Sequence, residues 1–213
     1  MVAMQESRKS ISKSARRRRP TVESRKEILD RVVELLWDRP IRDLSIVSIM
    51  RGTGLSRPAF YMYFKNIPAL IEELLVDLEA EMNEAATPWL VAEGPAGEQL
   101  RKSLEGIVAV CRRRGPVLRA ISESAPHDAR LERAWSGFMD GWDRAVRDRI
   151  LGGQASGWFQ DCDAAMVASA LNRMDAAILI EAFGRRDQRD PEAVLETLYF
   201  IWSRTLFVVG DSS

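Results

Sequence analysis

The segment from Ser45 to Lys65 carries the side chains with the clearest chemistry, and that chemistry is recognition of a DNA groove. Arginine can donate two hydrogen bonds to a guanine edge, a small residue lets a helix approach a thymine methyl group, and tyrosine, lysine and serine can bind phosphates. The segment therefore predicts a short DNA-recognition helix. The predicted DNA-contacting residues in it are Ser45, Thr53, Ser56, Arg57, Pro58, Ala59, Tyr61, Tyr63 and Lys65.

Two short helices joined by a glycine turn would position these side chains. Ser45 can cap one helix, the turn Gly52-Thr53-Gly54 ends it, and Ser56 can cap the next. Phe60 and Phe64 are four residues apart, so they share a face that should pack on the core and turn Arg57 and Tyr61 outward. An ordinary helical hairpin whose aromatic residues are only core is the alternative, because such units are common.

The N-terminal 20 residues add a strong positive charge. They contain seven basic residues and one acidic residue, although the whole chain has 31 of each sign and no net charge. A polar, basic segment without apolar periodicity is typical of a disordered tail. We expect Arg16, Arg17, Arg18 and Arg19 to attract DNA phosphates in a salt-dependent manner. The alternative is a solvated tail that only increases solubility.

The remaining chain has the apolar period of helices nearly throughout, which predicts an all-α protein of about nine helices. Ser24 to Glu27 form a capping-box pattern that should open the first helix. Gly115-Pro116 should end the fifth helix, with a short sixth helix after it, and Gly152-Gly153 should end the seventh. Gly184 is the expected left-handed cap of the eighth. The ninth is apolar on nearly all sides, so we expect it to be buried against two partners.

Several functions are disfavoured by the residue inventory. Cys111 and Cys162 lie 51 positions apart and His127 is the single histidine, so no structural zinc site is expected. No nucleophile elbow, phosphate loop or dinucleotide fingerprint is present, and we predict neither a metal, nor a cofactor, nor catalysis. The near-apolar stretch 174–180 is too short to span a bilayer, and the N-terminus lacks a secretory signal. A cytoplasmic protein is therefore expected.

The helical body predicts either a ligand pocket or a plain core. Asn172 and Asp175 lie three residues apart on an otherwise apolar helix and share a face with Leu179. A mostly apolar lining with one or two polar groups is typical of small-molecule sites. Alternatively, the apolar residues are only core and the two polar residues face solvent or a dimer interface. The candidate lining residues are Leu100, Leu104, Ile107, Cys111, Trp135, Phe138, Met139, Trp142, Asn172, Asp175, Leu179 and Trp202.

Residues 24–75 resemble the DNA-binding domain of the tetracycline-repressor family of bacterial regulators. The matching features are the motif from Ser56 to Phe64, with its Phe-Tyr-x-Tyr-Phe ending, the Gly52-x-Gly54 turn, and the long helix that follows. Weaker matches, such as Trp135 to Trp142, extend the resemblance to most of the chain. One position departs from the family pattern: Ile67 stands where a phosphate-binding lysine is usual, and Lys65 lies two positions earlier.

The resemblance implies a disordered tail over 1–20, a helix-turn-helix domain over 21–66, and an effector-binding and dimerisation domain over 67–213. It implies a homodimer formed through the last two helices, which binds a palindromic operator in double-stranded DNA and does not bind membranes. The implied function is a ligand-responsive regulator, a repressor released from DNA by a small apolar effector. The alternatives are an architectural DNA-binding protein without an effector, or an all-α enzyme.

Overall fold

The computed structural model describes residues 21–93 and 96–208. Within these ranges the chain is helical, with an isolated bridge between Phe159 and Phe207 as the described extended pairing. Short 3-10 turns at Ile41–Asp43 and Ala125–His127 supplement the α-helices. The predicted all-α class is confirmed, with eight α-helices in the described ranges where about nine were expected. They are α1 Thr21–Leu36, α2 Ile46–Met50, α3 Arg57–Tyr63, α4 Ile67–Leu90, α5 Gly97–Ser124, α6 Ala129–Ala155, α7 Ala164–Phe183 and α8 Pro191–Leu206.

Helices α1 to α3 form a small unit around their own buried side chains. Ile28 and Val32 from α1, Ile49 from α2 and Phe60 from α3 are all fully buried, and Phe64 closes the cluster after α3. The predicted capping box at Ser24 is wrong, because α1 already begins at Thr21 and Ser24 is a buried residue inside it. The periodic apolar face of α1 was the stronger signal, since it packs against α2 and α3.

Helix α5 continues through Gly115-Pro116, so the predicted break is wrong. Proline removes the backbone N–H that would bond to the carbonyl four residues earlier. Here the side-chain amide of Gln188 donates to that carbonyl, on Arg112, at 2.9 Å. A Cβ on Gly115 would lie 2.2 Å from the carbonyl oxygen of Phe183, so the glycine permits close packing of α5 against α7. The predicted fifth and sixth helices are therefore one helix.

Two other predicted helix ends are also displaced. Helix α6 passes through Gly152-Gly153 to Ala155, and a Cβ on Gly153 would lie 2.1 Å from the ring of Phe159. Gly184 follows α7 as predicted, but its φ of −74° is right-handed. Among the described residues the glycine with positive φ is Gly157, at 74°. Gly152-Gly153 was mistaken for a helix end, because the sequence does not show that Gly153 makes room for Phe159.

The body of the protein touches the α1–α3 unit through arginine side chains. Arg119 of α5 is buried and donates from its guanidinium to the carbonyl of Leu36 at 2.6 Å, at the end of α1. Arg186, just after α7, pairs with Asp38 at 2.7 and 3.0 Å and with Glu34 at 2.7 Å. None of the described helices combines the length and apolar character needed to cross a membrane.

Candidate DNA-binding surface and ligand cavity

The α2–α3 turn is held in shape by hydrogen bonds to its own polar residues. Ser45 and Ser48 form a reciprocal capping box, in which each backbone N–H donates to the other hydroxyl at 3.0 Å. The Thr53 hydroxyl donates to the Met50 carbonyl at 3.0 Å. Gly54 N–H donates to the Glu27 carboxylate of α1 at 2.9 Å. These contacts fix where α3 begins, and with it the direction of its outer face.

Helix α3 presents a polar and aromatic outer face, as the sequence predicts. Arg57 and Pro58 are exposed, and the side chain of Tyr61 is 54% exposed, while Phe60 between them is fully buried. Ala59 differs from the expectation, because it is half-buried and packs partly against the core.

The neighbouring predicted residues occupy the rim of this face. Ser45, Ser56 and Lys65 are exposed, whereas Thr53 and Tyr63 are half-buried. Ser56 begins α3 without a hydrogen bond from its hydroxyl to the helix, so the hydroxyl is available to a ligand. The predicted contacts at Arg16, Arg17, Arg18 and Arg19 lie outside the described residues.

Met62 is an exposed residue that sequence reasoning missed. Its side chain is 78% exposed and directly follows Tyr61 on the outer face of α3. The helical period of Phe60 and Phe64 already places residue 62 on the opposite side from the core, so this position was predictable.

A narrow apolar cavity lies between α4, α5, α6, α7 and α8. Its volume is about 50 Å³. That is room for only a few waters, at roughly 10–15 Å³ each. A ligand of drug size therefore requires the walls to move apart. The lining residues are Met82, Ala86, Trp89, Leu90, Leu100, Ser103, Leu104, Ile107, Leu118, Phe138, Met139, Trp142, Val146, Asn172, Asp175, Ala176, Leu179 and Trp202.

Ten of the twelve residues predicted for a pocket line this cavity. The exceptions are Cys111, which is fully buried in the core, and Trp135, which borders a separate shallow groove between α6 and α7. Trp135 stacks on Phe138 at 5.7 Å between ring centroids, so it backs the cavity wall from outside. The structure places these two residues outside the cavity lining, because the faces of α5 and α6 are each wider than the cavity they border.

The α4 wall of the cavity was missed. Met82, Ala86 and Trp89 line it, and α4 continues past Pro88 to Leu90. The Ser103 hydroxyl of α5 accepts a hydrogen bond from the backbone N–H of Trp89 at 3.1 Å and donates one to the backbone carbonyl of Ala86 at 3.2 Å. The α4 wall is therefore tied directly to α5.

Asp175 is the acidic side chain of the cavity lining. Both of its carboxylate oxygens accept from the indole N–H of Trp202, at 3.0 and 3.1 Å. Burial raises the pKa of Asp175 to about 7, and the Trp202 hydrogen bond only partly opposes this shift. Burial of Cys111 likewise raises the pKa of its thiol to about 12, with a smaller contribution from the charge of Asp175. The thiol therefore stays neutral.

Asn172 is oriented by a charged pair behind it. Its side-chain amide N–H donates to Asp143 at 2.9 Å, and Asp143 also pairs with Arg173 at 2.8 and 3.1 Å. A carboxylate accepts hydrogen bonds only, so it must face the amide nitrogen. The carbonyl oxygen of Asn172 therefore keeps no partner among the described residues and can accept from a ligand.

Three indole rings line the cavity. Trp89 meets Trp202 edge to face, with centroids 5.3 Å apart at 89°. The buried indole N–H groups of Trp89 and Trp142 have no hydrogen-bond partner in the part of the chain that the structure describes. Such groups are costly to bury unpaired, so they can also serve a ligand atom.

This combination of an N-terminal helix-turn-helix and a helical body with a cavity matches known regulators. The family defined by the C-terminal domain of the transcriptional regulator EthR matches residues 100–208. The chain belongs to this family of DNA-binding transcriptional regulators, within the tetracycline-repressor fold.

Individual relatives agree with the family. The regulator EthR of Mycobacterium tuberculosis strain H37Rv is 30% identical over 94% of this chain and 95% of its own. EthR of Mycolicibacterium smegmatis is 26% identical over 89% of each chain. In fold, the chain is similar to the TetR-family regulator PfmR of Thermus thermophilus, with a TM-score of 0.70, 18% identity, and coverage of 84% of this chain and 97% of PfmR.

A second structure shows the same fold with a small molecule. It is a transcriptional regulator from Saccharomonospora viridis in complex with choline, with a TM-score of 0.70 and 16% identity. The alignment covers 88% of this chain and 99% of that one.

Proposed function

We propose that this protein is a repressor that binds a palindromic operator as a homodimer and releases it when a small, mostly apolar effector occupies the cavity. The observation that carries the proposal is the position of α4. This helix begins at Ile67, directly after the recognition helix, and its far half supplies Met82, Ala86 and Trp89 to the cavity wall. A ligand that moves this wall therefore moves a rod attached to the DNA-binding unit.

The contacts at the end of α1 supply a second mechanical link. Buried Arg119 of α5 bonds to the Leu36 carbonyl, and α5 also lines the cavity through Leu100 and Leu104.

An effector can shift the protein away from its DNA-binding state only by binding the other state more tightly. Coupling of this kind is typically about 1–3 kcal/mol, or 5- to 150-fold in affinity.

Dimerisation is proposed through α7 and α8. Their outer surfaces expose large apolar side chains, among them Met166 and Phe200. Symmetric dimers are the commonest assembly, and two recognition helices related by a two-fold axis match half-sites about 34–36 Å apart. The exposed apolar surface is the support for this part of the proposal.

The decisive experiment is a footprint of the full-length protein on the DNA upstream of its own coding sequence. We expect a protected palindrome whose half-sites are separated by about one helical turn. Fluorescence anisotropy on that site then tests whether apolar small molecules lower the affinity. Binding to all sequences with equal affinity, or DNA binding that no cavity-filling molecule changes, would overturn the repressor proposal.

A further inference from the structure

The cavity presents hydrogen-bond acceptors at its polar end. The Asp175 carboxylate and the Asn172 carbonyl oxygen belong to residues one helical turn apart on α7, and both residues line the cavity. Asp143 fixes the direction of the Asn172 amide, and Arg173 holds Asp143 in turn. This end of the cavity is therefore built to receive a group that donates hydrogen bonds.

No described lysine, arginine or histidine forms an ion pair with Asp175. Its described partner is the neutral indole of Trp202, which donates to both oxygens. Arg149, a buried cation of α6, bonds to the Trp89 carbonyl at 3.0 Å and lies over the Phe159 ring at 4.9 Å. A half-buried carboxylate without a cation is costly, and a positively charged ligand would reduce that cost.

The aromatic wall next to Asp175 also favours a cation. The indole of Trp202 bonds to Asp175, and Trp89 packs edge-to-face against Trp202. Indole faces attract ammonium groups, and most strongly where water is excluded. Apart from Asn172 and Ser103, the rest of the lining is apolar and suits an apolar chain.

We propose that the cavity selects a protonated alkylamine, with its primary or secondary ammonium group held between the Asp175 carboxylate and the Asn172 carbonyl oxygen and its apolar tail along the tryptophans. The inference rests on the proposed function, because it names the chemical class of the effector for the same cavity. The Trp89 and Trp142 N–H groups remain free for a hydroxyl or carbonyl on that tail.

Three probes of equal chain length and different charge test the proposal: octylammonium, 1-octanol and octanoate. Titration calorimetry at pH 8 suits the experiment, because an alkylamine is still protonated there and Asp175, with a pKa of about 7, is mostly ionised. The Cys111 thiol of α5 stays neutral at this pH, since its own pKa is raised to about 12. We expect octylammonium to bind at least about tenfold more tightly than octanol, with octanoate weakest.

Matched variants identify the responsible carboxylate. Asp175→Asn keeps an acceptor for Trp202 but removes the charge, so the preference for octylammonium over octanol should fall to about onefold while octanol still binds. Asp77→Asn removes an exposed carboxylate of α4 outside the cavity lining and should keep the preference. Asn172→Leu should weaken octylammonium binding more than octanol binding.

The outcomes separate this inference from the proposed function. If octanol and octylammonium bind equally to the wild type, or if Asp175→Asn keeps the preference, the alkylamine inference is wrong and an effector cavity still stands. If none of the three probes binds, the cavity proposal fails and the inference fails with it. If Asp175→Asn does not fold, the affinity order of the wild-type protein decides alone.

Discussion

Asp175 is an ionisable side chain whose charge is stabilised by the Trp202 indole N–H, but by less than burial disfavours it. In the folded protein its pKa is about 7, raised from an ordinary value of 3.8 because burial penalises the carboxylate. The folded state therefore holds a proton that the unfolded state has already lost between these two pH values. Where the folded state binds more protons, the free energy of unfolding falls as pH rises.

This shift predicts a pH-dependent effect of Asp175→Asn. Below the unfolded pKa of Asp175 the two proteins should have similar stability, because the carboxyl is protonated in both states. As pH rises towards 7 only the wild type should lose stability, and from pH 5 to pH 8 the variant should gain about 3 kcal/mol on it. Urea unfolding of both proteins at pH 5 and pH 8 measures the difference, with Asp77→Asn as the control. An equal difference at both pH values would contradict the raised pKa.

Arg57 is the side chain of α3 that we expect to contact a base of the operator. It is exposed at the start of α3 and contributes nothing to the buried cluster, so Arg57→Ala should leave the melting temperature unchanged. Loss of a base-contacting arginine should weaken operator binding by about 10- to 100-fold and relax specificity at one base pair. Arg144→Ala, an exposed arginine of α6, serves as the control. Fluorescence anisotropy on matched and mismatched operators would show the difference, and equal affinities of the two variants would exclude a DNA contact by Arg57.

Single residues of the cavity were predictable from sequence because their chemistry is unusual for their position. Asn172 and Asp175 stood out as polar residues on an apolar helix, and both line the cavity. Cys111 and Trp135 lie outside the cavity lining, since periodicity identifies the buried face of a helix but not which part borders a void. The acceptor behind Asn172 was not predictable either, because Asp143 lies on another helix.

At the scale of elements, the sequence predicted helices well and their ends poorly. The predicted Ser45 cap is a local pattern, and it is present in the structure. Gly115-Pro116 has the local pattern of a break, yet α5 continues because Gln188 and Phe183 supply what the backbone lacks. Those partners are about 70 residues away in sequence, and a local pattern cannot contain them.

Gly115 and Gly137 should respond in opposite ways to the same substitution. A Cβ at residue 115 would lie 2.2 Å from the Phe183 carbonyl oxygen, so Gly115→Ala must push α7 away and should cost about 2 kcal/mol or more. A Cβ at residue 137 in α6 meets nothing within 4 Å, so Gly137→Ala should stabilise by about 0.5–1 kcal/mol through reduced chain entropy. Urea midpoints of the two variants provide the comparison. Stabilisation by both would show that α5 and α7 are not in close contact.

In the whole molecule, regulation of the proposed kind depends on how the α1–α3 unit, the cavity and the second subunit are connected. The α1–α3 unit, for which we propose DNA binding, contacts the body through α4 and through buried Arg119, and the cavity lies between the helices that make those contacts. A rigid connection of this kind can transmit a movement of the cavity wall to the recognition helix. This connection can regulate operator binding only if the recognition helices of two subunits are held at a fixed spacing. A single chain cannot provide that spacing.

The proposed dimer can be tested at Phe200. Its side chain on α8 is 61% exposed, and a carboxylate in the centre of an apolar interface would remain buried and unpaired. Phe200→Asp should convert the dimer to a monomer in sedimentation equilibrium, and operator affinity should fall with it, because one recognition helix alone contacts too few base pairs. Val76→Asp, at an exposed apolar residue of α4, should stay dimeric and bind the operator normally. A monomeric Phe200→Asp protein with unchanged operator affinity would show that a single subunit suffices, and the two-fold geometry proposed for the operator would then be wrong.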